Sequence, residues 1–140
     1  MAKFVINGVV VQGLRAATRT LDFQIPLIEK EFPEIGCCKR GSINIQLKNA
    51  LRIEKPDHTT GPIPWAGPPG EIFSFLRILL ECPVGSDPQP AWIYVPHDSP
   101  HRDNRCQVEV IAPPIQHISY GSQCIIHLER GRNDFDMILA

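Results

Sequence analysis

The chain has 140 residues, enough for one domain with a real core, and 43% hydrophobic against 21% charged residues describes a globular protein. A net charge of −1 gives no electrostatic footprint for nucleic acid or an anionic membrane, and no apolar run reaches the length of a membrane span. Five irregularly spaced cysteines do not make a secreted disulfide framework, and MAKFVINGVVVQG is too short and polar for a signal peptide, so a cytoplasmic protein with reduced thiols is expected.

In chain order, KFVINGVVVQG is β-branched and rich in valine, which predicts a first strand ending at Gly13. GLRAATRT (13–20) follows as a loop, able to offer backbone N–H groups and Arg15 to a phosphate but carrying a single glycine. IPLIEKEF (25–32) places Pro26 near a helix start, sets Ile25, Ile28 and Phe32 at helical spacing and stops at Pro33. Further strands are expected at 42–47, 73–80, 91–95, 107–112 and 123–128. Five of the 14 prolines fall in PDHTTGPIPWAGPPGE (56–71), a stretch that excludes helix interior and predicts a long ordered loop. Six short strands and one principal helix predict a mainly β, closed or nearly closed barrel, with residues 1–140 as a single domain.

Three groups of residues could carry chemistry. In RGSINIQL (40–47) the apolar positions alternate with Ser42, Asn44 and Gln46, so Ser42 and Asn44 share one strand face. That face is either ordinary solvated surface or a pair of neutral oxygen ligands for Mg²⁺, a hard cation that needs few protein ligands when phosphates complete its shell. His97 and His101 in HDSPHRD are four apart, but Pro96 and Pro100 argue against the helix that would bring them together. Glu109 interrupts the apolar strand QVEVIAP, either on a solvated face or at a pocket rim where it accepts ligand hydrogen bonds.

Taken together, GVVVQGL, RGSINIQL, PAWIYVPHDSPH, VEVIAP and YGSQCIIHL resemble, in this order, the archaeal CTP-dependent riboflavin kinase family over about residues 5 to 128. The most specific matches are Gly41-Ser42-Ile43-Asn44 and VEVIAP. The resemblance implies a small six-stranded cradle-loop barrel that makes FMN from riboflavin with CTP or another nucleotide and Mg²⁺. It implies Ser42 and Asn44 as metal ligands, and as flavin contacts Glu109 together with Ser99, or His101 if the loop register differs. Gly13, Leu14, Arg15, Ala16, Ala17 and Thr18 would then form the nucleotide loop. Where the family has additional glycine, this chain has Leu14, Arg15, Ala16 and Ala17, whose Cβ atoms restrict backbone approach to a phosphate. That departure leaves open a non-catalytic or re-purposed barrel binding a flavin, nucleotide or other small ligand. A metal-dependent site built on His97, His101 and Glu109 is a weaker alternative.

Overall fold

A computed structural model describes residues 3–12, 17–53, 55–97, 106–116, 118–129 and 135–139. Among the described residues nine strands form: β1 Lys3–Val11, β2 Ile43–Leu47, β3 Asn49–Ile53, β4 His58–Thr59, β5 Phe73–Glu81, β6 Gln89–Pro96, β7 Gln107–Ile111, β8 Gln123–Glu129 and β9 Phe135–Leu139. Six of them close into an antiparallel barrel in the order β5-β6-β7-β2-β1-β8, with β8 pairing back onto β5. These six are the strands expected from the sequence. The short β4 extends the sheet beyond β5, and β3 and β9 make a separate two-stranded ribbon.

Alternation along each barrel strand sends one set of side chains inward. Ile45, Leu76, Val110 and Ile126 are fully buried there, with Ile6, Ile78, Leu80, Ile93, Cys124 and Leu128 around them. The barrel is therefore a packed core. Gly8 on β1 belongs to this inward set, lying between Ile6 and Val10 and opposite Leu47. A Cβ placed on it would meet Cγ2 of Ile45 at 2.3 Å, so strand β1 needs a residue without a side chain to approach β2.

A second apolar cluster covers the outer face of β5, β6 and β7. Phe73 and Phe75, Trp92 and Tyr94, and Ile111 point outward and are covered by α1 (Ala17–Ile28) through Leu21, Ile25 and Ile28. Phe32 and Ile35, the latter in the 3-10 helix Pro33–Cys37, complete the layer. Each of these large side chains contributes about 1.5–3 kcal/mol when fully buried.

The helix begins eight residues before the expected start at 25 and ends at Ile28. Its buried stripe is Leu21, Gln24, Ile25 and Ile28, and a glutamine inside that stripe obscures the helical period. Pro26 lies within the helix, not at its start. Lacking an N–H, it leaves the Asp22 carbonyl without a helical partner, and Arg40 Nη1 donates to that oxygen at 3.5 Å.

Glu34 pins the 3-10 helix to the barrel wall. Its carboxylate accepts two hydrogen bonds from the Arg77 guanidinium on β5 and one from Trp92 Nε1 on β6 at 2.7 Å. Arg77 also faces Asp57, with Nη1–Oδ1 at 3.5 Å, and its guanidinium carbon lies 5.8 Å from the centre of the Phe32 ring. The proline-rich loop is anchored alongside. Ile63 and Glu71 exchange backbone hydrogen bonds of 2.8 and 3.0 Å, Trp65 Nε1 donates to Glu71 Oε1 at 2.9 Å, and Thr60 Oγ1 accepts from the Phe73 N–H. Gly70, at φ +93°, sits so close to the Ile63 backbone that a Cβ would come within 3.1 Å of it.

Two outcomes follow. Gly8→Ala should lower stability by about 1–3 kcal/mol through overpacking against Ile45, read as a lower urea midpoint at unchanged slope. The Arg77 hydrogen bonds, working against partial burial, together with that of Trp92 hold the Glu34 carboxyl below its ordinary value. A depressed pKa means that the unfolded state takes up the proton first. The Glu34 contribution is therefore complete above its unfolded pKa of about 4.3 and is lost as pH falls through the folded value. Urea midpoints measured across the acid range should fall more steeply below about pH 4.5 in the parent than in Glu34→Gln.

Candidate functional site

The outer face of the wall continues beyond the helix as a polar row. Register pairs Tyr94 on β6 with Glu109 on β7, Glu109 with Asn44 on β2, and Asn44 with Val11 on β1. Paired residues in adjacent strands share a face, so these side chains stand side by side outside the filled barrel. Ser42 shares the Asn44 face by alternation, and its hydroxyl donates to Glu109 Oε1 at 3.4 Å. Asn44 Oδ1 accepts from Gln107 Nε2 at 3.2 Å, which fixes which end of the amide faces β7. Ser42, Asn44 and Glu109, far apart in the chain, are brought together here, each half-buried.

Behind Glu109 lies a buried polar pair. The Tyr94 hydroxyl donates to Gln24 Oε1, and Tyr94 and Gln24 are 4% and 2% exposed. This bond explains a glutamine in the buried stripe of α1: it satisfies a phenol that would otherwise be stranded in the apolar layer. Burial pushes the Tyr94 phenol well above its ordinary range, Glu109 and then Glu71 push in the same direction, and the Gln24 hydrogen bond opposes them weakly. The tyrosine is thus a neutral donor at any physiological pH. Phe73 stacks on it with centroids 5.8 Å apart, and Ile63 and Trp65 of the proline-rich loop pack on the same cluster. That loop also contributes Glu71, a carboxylate only 7% exposed.

The oxygens on this face are chemically suited to a hard cation. They comprise one carboxylate and two neutral side-chain oxygens, and the Asn44 carbonyl keeps a second lone pair beyond its bond to Gln107. Among the described residues no three His, Cys, Asp or Glu side chains gather as a metal cluster. A cation here would rest on the neutral oxygens of Ser42 and Asn44, with the Glu109 carboxylate beside them.

Other candidates fall elsewhere. Gly13, Leu14, Arg15, Ala16, Ser99 and His101 lie outside the described residues. Ala17 and Thr18 are the first residues of α1. His97 Nε2 is 2.8 Å from Ser74 Oγ, which is 3.0 Å from Thr59 Oγ1. Ser74 alternates with the outward Phe73 and Phe75, so His97 engages the opposite side of the sheet from Glu109.

Sequence reasoning did not single out Tyr94, Gln24, Gln107 or Glu71. The alternation in PAWIYVP does carry a signal: it puts Trp92 and Tyr94 on one face, and a buried tyrosine needs a polar partner. No protein-family model and no curated protein matches the chain.

Tyr94→Phe should cost about 1–3 kcal/mol, because it leaves the buried Gln24 oxygen without its donor. Tyr94→Phe combined with Gln24→Leu should recover part of that loss. Urea unfolding of the two single variants and the double variant measures the coupling.

Proposed function

We propose that the chain is a riboflavin kinase-like phosphotransferase whose site lies on the outer wall around Ser42, Asn44 and Glu109. The observation that carries this reading is the meeting of these three side chains on one face, with Ser42 hydrogen-bonded to Glu109. They are the described residues for which the sequence resemblance implies metal and flavin contacts, and their register was not contained in either motif. In this reading Ser42 and Asn44 orient the phosphate end of a nucleotide. Glu109, held by Ser42, accepts hydrogen bonds from the flavin. The α1 N-terminus at Ala17 and Thr18 has first-turn N–H groups with no intrahelical acceptor, a further place for phosphate oxygens to bind. Mg²⁺, when bound, would neutralise phosphate charge. Catalysis would then consist of alignment and electrostatics more than covalent chemistry.

A second reading is a binding module without turnover. It is favoured by Leu14, Arg15, Ala16 and Ala17 standing where a nucleotide loop would use glycine.

Ligand binding and turnover separate the two. Riboflavin or FMN at 100 times its dissociation constant adds about 2.7 kcal/mol of stability. For this chain length that corresponds to a melting-temperature rise of roughly 5–10 °C. Glu109→Ala should abolish the rise with flavin, and Ser42→Ala with Asn44→Ala should abolish Mg²⁺-dependent nucleotide binding in a folded protein. FMN formed from riboflavin, Mg²⁺ and CTP, detected by chromatography, is the outcome expected of the kinase. A flavin shift without FMN would assign the binding module, and no shift with flavin or nucleotide at millimolar concentration would end both readings.

A further inference from the structure

We propose that Cys82 and Cys124 are a disulfide-forming pair that staples the closing seam of the barrel. The seam between β5 and β8 has the register Leu79↔His127, Leu80↔Ile126 and Glu81↔Ile125. One further step places Cys82 opposite Cys124. Both side chains belong to the inward-facing core, 3% and 1% exposed. Directly opposed residues of antiparallel strands have Cα atoms about 4.5 or 5.5 Å apart, and both separations fall within the roughly 4.4–6.8 Å spanned by disulfides. Pro83 follows with no N–H for the ladder, and the Val84 N–H resumes the bonding by donating to the Gln123 carbonyl at 2.9 Å, so a covalent tie would sit between bonded stretches of the seam.

The other adjacent thiols are less suited to pairing with each other. Cys37 is exposed and its thiol donates to the Glu34 carbonyl, whereas Cys38 is buried in the outer layer. As sequence neighbours they would close a small ring that distorts the intervening peptide. Cys106 is half-buried at the start of β7, remote from the seam.

The chemistry balances with a small-molecule disulfide such as glutathione disulfide as oxidant. One cysteine thiolate attacks it and expels a glutathione thiolate; the second cysteine attacks the mixed disulfide and expels another. Two protein thiols thus lose two protons and two electrons as one S–S bond forms, and one glutathione disulfide becomes two thiols. Burial pushes the Cys124 thiol up to about 12, so exchange at neutral pH is fast only while the seam is open, during folding or transient opening.

The test is to refold the full chain from urea in a glutathione redox buffer, alkylate the remaining thiols and map cross-linked peptides by mass spectrometry. The expected result is one linkage, Cys82 to Cys124, with Cys37, Cys38 and Cys106 alkylated and a melting temperature raised by roughly 5–10 °C over the reduced protein. Reduction should reverse the shift, and Cys82→Ala and Cys124→Ala should each abolish it. Mapping on the unmodified chain stands even if a variant does not fold. Alkylation of both Cys82 and Cys124 in folded, oxidant-treated protein, or their linkage to any other cysteine, would overturn the proposal.

Discussion

Strand β5 has to bury both of its faces, and the rest of the architecture answers that requirement. Its sequence FSFLRILLE places Leu76, Ile78 and Leu80 on one side and Phe73 and Phe75 on the other. A sheet with one solvated face cannot accommodate such a strand. Closure of the barrel removes the first side from water. The second needs a separate cover, supplied by α1, the 3-10 helix and the proline-rich loop. Arg77, the exposed residue midway along β5, is where that cover is fastened, through Glu34 and Asp57.

The candidate site inherits its place from this arrangement. Because side chains fill the barrel interior, the site among the described residues lies outside the wall. There, the cover ends against Tyr94 and the polar row of Glu109 and Asn44 begins. Gln24 and Tyr94 join helix and wall at that boundary, so the rim of the site is built from an element of each layer. The proline-rich loop reaches the same boundary through Ile63 and Trp65.

Strands β2 and β7 were legible because their alternation is local: RGSINIQL and QVEVIAP show an inward and an outward set without reference to any partner, whereas β1 was read from its β-branched residues and FSFLRILLE, which periodicity alone leaves open to helix, from its place between two proline clusters. What joins them was not. Nothing within either segment says that Asn44 stands beside Glu109, since register is decided by closure of the whole barrel. The start of α1 was hidden for a different reason. Gln24 interrupts the apolar stripe and Pro26 looks like a beginning, yet tertiary bonds from Tyr94 and Arg40 satisfy both exceptions. Strands β3 and β9 are individually ordinary, and their pairing spans most of the chain, beyond the reach of local pattern.

The strand order also sets a timetable for synthesis. Strand β8 is the bridge between β1, the earliest of the six barrel strands, and β5, and it supplies both of the last two seams. Until residues 123–129 leave the ribosome, β1 has only β2 beside it, and β5 has a free edge with inward leucines uncovered. The nascent chain must therefore hold a half-built, edge-exposed sheet until those residues emerge. Such a species is prone to sticking to its neighbours. Translation speed ahead of residues 123–129, and chaperone capture before they emerge, become determinants of yield for this fold.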